Sequence, residues 1–197
     1  MEHKNKRRLI IGISLFLLLG FYLFKNLSEG VRIFGFIFGL FVFYTIDRMF
    51  EIDFKLRHYI YVMIILAAGI LLADFYYLYE SYDKILHFLL PILGGLLFFY
   101  VVDKQKLSFS WKLFITFLFI MTFLAFHEIG EYLLDVLWGW TLQGVQIKQM
   151  SGANILNPVM SRIDDTMIDL IMGALGTTLF VIGKIIEDLW KKKSKKH

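Results

Sequence analysis

The chain has 197 residues, of which 58% are hydrophobic and 18% aromatic, while 19% carry a charge. This composition excludes a disordered chain and exceeds the apolar content that a soluble domain of this length can bury. The net charge is +4, but the basic residues lie at predicted helix ends and in the tails, so no nucleic-acid partner is expected.

Long apolar runs predict an all-α fold, a polytopic integral membrane bundle of about six transmembrane helices forming one domain over residues 1–197. A helix that crosses the hydrocarbon core, about 30 Å thick, needs about 20 residues. The predicted spans cover about residues 9–24, 31–46, 59–79, 84–102, 111–138 and 166–186. No small-residue cleavage site follows the first span, so we expect it to be an uncleaved anchor.

The distribution of Lys and Arg between the predicted loops predicts the orientation. The N-terminal segment, the loops after the second and fourth spans, and the C-terminal tail are richer in basic residues than the segments between them. Because basic segments stay on the cytoplasmic side, this alternation predicts a multi-pass plasma-membrane protein with both termini in the cytoplasm. The lipid bilayer is then its first partner.

The last three predicted helices carry ionisable residues within or at the edge of the membrane, where such residues are costly. The three sequences concerned are YDKILHF, HEIGE and DDTMID. Each contains two ionisable residues four positions apart, which share a helix face. The pairs are Asp83 with His87, His127 with Glu131, and Asp165 with Asp169. In the predicted topology all three lie toward the extracytoplasmic side, which predicts one shared site.

Acidic groups outnumber the nearby cations Lys84 and Arg162 at the predicted site, and so many like charges cannot all ionise unaided. A divalent metal ion or a cationic ligand would neutralise them. Two His with several carboxylates suit Zn, Mn or Fe, whereas carboxylates alone suit Mg or Ca. The candidate metal ligands are His87, Asp165 and Asp169. The candidate binding residues are Asp83, Lys84 and Arg162.

The same residues also have structural interpretations. An acid at a helix start is often an N-cap, and a lone interior His is often a hydrogen-bonded core residue. The pair Asp165 and Asp169 could serve only to bind a nearby arginine. His127, Glu128 and Glu131 are harder to explain in this way, because three ionisable residues close together in a span are expensive. These three are the candidate catalytic residues.

Packing features are expected beside the site. Pro91 leaves the carbonyl of His87 without its helical hydrogen bond, which predicts a kink there. Small residues would let the fourth and sixth helices approach closely. They are Gly94, Gly95, Gly173, Ala174 and Gly176.

The order of these motifs resembles that of the YjdF-like inner-membrane proteins, a family without an established activity. The resemblance rests on YDKILHF, on the Glu-x-x-Glu of HEIGE and on DDTMIDLIMGALG, and covers about residues 59–180. His127 lies outside the family's pattern. A looser similarity reaches the VanZ-like proteins, linked to glycopeptide-antibiotic tolerance, which share the Asp-Lys…His-Phe helix start and a late Asp before Gly. That similarity implies a role in the cell envelope.

Three functions fit the predicted site, and the sequence leaves the choice between them open. The first is an enzyme for a lipid or lipid-linked envelope substrate, in which a bound cation activates water and Glu128 or Glu131 is the general base. The second is a cation- or proton-coupled transporter or binding protein, since buried Asp, Glu and His are typical of proton relays. The third is a non-catalytic envelope protein of the VanZ-like kind.

Overall fold

The structure is a computed structural model that describes residues 9–16, 18, 20, 30–148 and 156–194. The fold is all-α, as the sequence predicts, with one short β-ribbon among the described residues. The chain divides into two compact units, Met1–Ala73 and Asp74–His197, and each is described by itself.

Among its described residues, the first unit contains three α-helical segments. Residues 9–16, 18 and 20 are helical and belong to α1. Helix α2 spans Gly30–Met49, and α3 spans Leu56–Leu66. The third predicted span, 59–79, is not one continuous α-helix, because α3 passes into a π-helical turn at Ala67–Leu71 and a 3₁₀ turn follows at Ala73–Tyr77. Gly69 lies in the π turn, and glycine is a poor residue for a regular helix interior.

A buried carboxylate organises the loop between α2 and α3. Asp47 is 5% exposed, accepts the backbone N–H of Phe54 at 2.9 Å and also accepts the hydroxyl of Tyr59. The loop backbone turns sharply at Glu51 and Asp53, whose φ angles are 50° and 52°. Asp47 therefore holds a tight connection that apolar periodicity alone does not reveal.

The second unit contains three helices long and apolar enough to cross a membrane. Helix α4 spans Tyr82–Asp103, α5 spans Phe109–Trp138 and α6 spans Arg162–Ser194. Between α5 and α6, strands β1 (Gln146–Lys148) and β2 (Leu156–Pro158) pair antiparallel, with Ile147 opposite Asn157. These helices contain the fourth, fifth and sixth predicted spans.

Glycines bring the helices of this unit into close contact. A Cβ at Gly176 of α6 would lie 2.1 Å from the backbone oxygen of Phe88 in α4, a distance that no side chain tolerates. A Cβ at Gly173 would lie 2.5 Å from Leu124 of α5, and one at Gly95 would lie 2.7 Å from a phenylalanine ring of α6. This close approach is the one expected of small residues between membrane helices.

The two ends of the three-helix unit differ in character. Phe99, Leu113 and Phe180 form an apolar core near the end of α4, the start of α5 and the later part of α6. The start of α4, the end of α5 and the start of α6 meet at the other end. The buried polar side chains of this unit gather mainly there.

Candidate functional site

The polar end of the three-helix unit brings together the ionisable residues that the sequence singles out on α4, α5 and α6. Four of them are nearly inaccessible, each with a residue exposure of 8% or less: His87, Glu128, Asp165 and Asp169. Each of the three helices contributes at least one. The spacing of four residues puts Asp83 with His87 and Asp165 with Asp169 on one face of each helix, whereas Glu128 is buried outside any such pair.

Lys84 is the cation that joins the carboxylates of α4 and α6. Its Nζ lies 2.7 and 2.8 Å from the two carboxylate oxygens of Asp169 and 3.1 Å from Asp83, and it also pairs with Asp165. The side chains of Asp165 and Asp169 are 2% and 0% exposed. Asp165 and Asp169, the two acids proposed from the sequence as metal ligands, thus both pair with the ammonium group of Lys84 on the neighbouring helix α4.

His87 lies between this ion-pair group and a further acid on α5. Its Nδ1 is 2.9 Å from Asp169 Oδ1 and 3.3 Å from Asp83 Oδ1, and its Nε2 is 3.4 Å from Glu128 Oε1. The contacts at Nδ1 fall outside hydrogen-bond angles, so they are electrostatic in this arrangement. The imidazole therefore connects the acids of α4 and α6 with Glu128.

Glu128 is the least satisfied group of the cluster. It is 5% exposed, and neither carboxylate oxygen has a hydrogen-bond partner. Besides His87, its Oε1 faces His127 Nδ1 at 3.9 Å, and the two imidazole rings are 5.4 Å apart in an edge-to-face arrangement. A buried carboxylate without a donor is strongly unfavourable unless it is protonated or meets a cation.

The outer edge of the cluster lies on α5. Glu131 Oε1 is 3.8 Å from His127 Nδ1, and its side chain is 20% exposed. The side chain of His127 is 46% exposed, so the site is open on this side. These two residues place a second carboxylate and an accessible imidazole next to Glu128.

The connection after α5 covers the polar end and is tied to the cluster by hydrogen bonds. Buried Asp135 accepts two backbone N–H groups of this loop, at 2.7 and 3.1 Å. Gln143 donates to the Thr166 hydroxyl at 3.0 Å, and the Gly144 N–H donates to Asp165 Oδ2 at 2.7 Å. Gly144 has a φ of 87°, which favours glycine. The sequence does not reveal these hydrogen bonds, and only the glycine itself signals a turn.

Three positions singled out from the sequence have structural roles or lie apart from the cluster: Asp164, Arg162 and Pro91. Ser161 is the N-cap of α6, because its Oγ accepts the Asp164 N–H at 3.2 Å and donates to Asp164 Oδ2 at 2.6 Å. Asp164 is therefore the third residue of the helix, hydrogen-bonded to the cap, and not the cap itself. Arg162 is exposed at the first position of α6 and makes no ion pair with the described carboxylates. Pro91 lies within α4, which continues as a helix through it.

Two sets of side chains have the composition and proximity of a metal site. One consists of His87, His127 and Glu128, and the other of Asp83, His87 and Asp169. In each set the ligand atoms all lie within 4.8 Å of one another. The second set shares Asp83 and Asp169 with Lys84, whereas Glu128 in the first set makes no ion pair with a described lysine or arginine.

Long apolar helices joined by a buried ionisable cluster define a polytopic membrane protein. The family model for a predicted membrane protein, DUF2238, matches residues 7–188, and the chain belongs to this family. No curated protein and no solved structure matches the chain. The family description gives a membrane location and no activity, so the function has to be argued from the site.

Proposed function

We propose that this protein is an enzyme of the plasma membrane that hydrolyses a lipid or lipid-linked substrate of the cell envelope. The observation that supports it best is Glu128, a buried carboxylate with two free oxygens beside two imidazoles. A membrane protein gains no stability from such a group, because a buried polar atom without a partner is unfavourable. A reactive role explains why the position carries a carboxylate.

The site has the parts that hydrolysis by activated water needs. Glu128 and Glu131 are two carboxylates of different exposure on adjacent turns of α5, and either can take a proton from a water molecule. We assign the general base to Glu131, because it reaches the open side of the site. His127 lies between the two acids, with Nδ1 3.9 Å from Glu128 Oε1 and 3.8 Å from Glu131 Oε1.

Access from the bilayer favours a lipid-borne substrate. The open side of the site is at His127, and Phe123, one turn earlier on the same face of α5, is apolar and exposed. A lipid could bring its headgroup to the cluster along this face without leaving the membrane. We further propose that the polar end faces the extracytoplasmic leaflet and that both termini are cytoplasmic.

The orientation can be tested with single cysteines, because the chain contains none. Val159→Cys lies in the exposed connection at the polar end, and Ser194→Cys lies at the opposite end of α6. A membrane-impermeant thiol reagent applied to intact cells should label the first and spare the second. The reverse pattern would contradict the proposed orientation.

The activity can be tested with the full chain in nanodiscs that contain a total envelope lipid extract. Mass spectrometry should detect a hydrolysis product with the native protein and with Glu187→Gln, an exposed carboxylate variant far along α6. Glu128→Gln keeps the size of the side chain and should abolish the product. An equal product yield from Glu128→Gln, or none from the native protein, would contradict the proposal.

A second candidate is proton-coupled transport of a cation, favoured by the succession of ionisable contacts across three helices. The contacts run from Lys84 through Asp169 and His87 to Glu128 and then His127. Reconstituted vesicles should then show uptake that depends on a pH gradient, and Glu131→Gln should weaken it. Uptake that is unchanged in this variant would exclude the coupled mechanism. The likeness to VanZ-like proteins stays a prediction.

A further inference from the structure

We infer that His87 Nε2, His127 and Glu128 bind a divalent transition-metal ion of the zinc class at the contact between α4 and α5. The inference rests on the proposed function, because it names the cation that would activate water for hydrolysis. The ligand set differs from the one predicted from the sequence, since Asp165 and Asp169 are paired with Lys84.

The spacing of the three side chains fits a tetrahedral metal ion. Ligand atoms about 2.0–2.1 Å from zinc in a tetrahedron are about 3.3 Å from each other. Glu128 Oε1 is 3.4 Å from His87 Nε2 and 3.9 Å from His127 Nδ1, and the most distant pair of ligand atoms in the set is within 4.8 Å. The His127 side chain is half-exposed, so it has room to move closer to the other two ligands, as a tetrahedral site needs.

A bound cation would also satisfy the buried carboxylate of the inner site. Glu128 is only 5% exposed, and both of its oxygens lack hydrogen-bond partners. The ammonium of Lys84 pairs with three other carboxylates and not with Glu128. The groups that face Glu128 are the imidazoles of His87 and His127, which are neutral when they ligate a metal ion, so the ion would then supply the positive charge.

The neighbours of His87 present the correct nitrogen to the metal ion. Metal-bound imidazoles commonly direct the second ring nitrogen to a carboxylate, which fixes the ring and makes it more basic. Asp169 Oδ1 lies 2.9 Å from Nδ1, an electrostatic contact that favours the proton on Nδ1 and leaves Nε2 for the metal ion. Lys84 holds both oxygens of Asp169 and thereby fixes its position. We therefore regard Asp169 as a positioning residue.

Three protein ligands leave a fourth position of a tetrahedral ion for water, which is the arrangement of catalytic zinc sites. The open side of the site is at His127, next to Glu131. A carboxylate at that position can accept a proton from the bound water. Two imidazoles and one carboxylate favour Zn²⁺, Fe²⁺ or Mn²⁺ over Mg²⁺ and Ca²⁺.

The test uses the full chain purified in detergent, stripped with a chelator and titrated with Co²⁺. Tetrahedral Co²⁺ gives visible ligand-field absorption, and Zn²⁺ should displace it. We expect stoichiometric binding by the native protein and at least a tenfold loss of affinity in Glu128→Gln and His127→Ala. Asp169→Asn should weaken binding by about 10- to 100-fold without removing the absorption bands.

The matched control is Asp135→Asn, which changes another buried carboxylate of α5 that accepts only backbone N–H groups. It should bind Co²⁺ like the native protein. Glu187→Gln is a second control in case the first does not fold. Stoichiometric binding that persists in Glu128→Gln and His127→Ala would overturn the assignment, and so would the absence of binding in the native protein.

The two proposals can fail separately. If the native protein hydrolyses lipid but binds no Co²⁺ or Zn²⁺, the metal-site proposal is refuted and the hydrolase proposal stands. If metal binding depends on Glu128 and His127 but no lipid product forms, the metal-site proposal stands and the hydrolase proposal is refuted.

Discussion

Replacing Lys84 with methionine should strongly destabilise the three-helix unit. The substitution keeps the apolar stem but removes the ammonium from three carboxylates, of which Asp165 and Asp169 are 2% and 0% exposed. The Lys84 side chain is itself 13% exposed, so solvent screens these ion pairs weakly. The uncompensated buried acids then lie next to each other in a low-dielectric region.

Removing one partner of a buried ion pair costs about 3–5 kcal/mol. For a chain of this size 1 kcal/mol corresponds to about 2–4 °C in the midpoint of thermal unfolding, so Lys84→Met should lower it by about 6–20 °C. Adding Asp165→Asn should restore part of the loss, because asparagine is neutral and still accepts the Gly144 N–H.

Thermal unfolding followed by tryptophan fluorescence in detergent measures these shifts. The control is Lys192→Met, which removes a pair with Asp188 at 2.6 Å from a side chain that is 68% exposed. Exposed pairs contribute about 0–1 kcal/mol, so the control should shift the midpoint by no more than a few degrees. Equal shifts for Lys84→Met and Lys192→Met would refute the argument that burial makes the Lys84 pairs strong.

Other substitutions test separate features, with the same unfolding assay unless stated. Gly176→Ala should lower the free energy of unfolding by about 1–3 kcal/mol, because it forces α4 and α6 apart. A Cβ at Gly94 would have nothing within 4 Å, so Gly94→Ala should be neutral or slightly stabilising. Equal effects of the two substitutions would contradict the close helix contact at Gly176. Gly144→Ala should cost about 1–2 kcal/mol because of its positive φ. Asp47→Ala should expose the α2–α3 loop to proteolysis, and an unchanged digestion pattern would refute its role. Glu128→Leu should raise the midpoint in chelator, and a lower one would mean that its carboxylate stabilises the fold.

Hydropathy predicts the membrane helices of the second unit well but misses their charged ends. The predicted sixth span is 166–186, whereas α6 continues to Ser194. Pairs of Lys184 and Lys191 with Glu187, three and four residues apart, stabilise the helix beyond the apolar run. The interruption after α3 was missed for a different reason, because a π turn keeps the apolar character of a helix.

The sequence identifies the members of the polar cluster, but it does not identify their partners. Intervals of four residues predict which side chains share a face, and that is enough to group them at one end. They do not predict that Lys84 reaches across to α6 and occupies Asp165 and Asp169. The free carboxylate is Glu128 instead, which becomes evident only when hydrogen bonds are assigned in three dimensions.

The glycine contact between α4 and α6 also determines which helix can move. At Gly176 backbone meets backbone, so no side chain there can change rotamer to absorb a shift. Helix α5 meets α6 through the flexible Leu124 side chain on Gly173, which can adapt. A shift of α5, the helix that carries Glu128 and His127, is therefore less restricted than a shift of α4 against α6, the helices that carry His87 and Asp169.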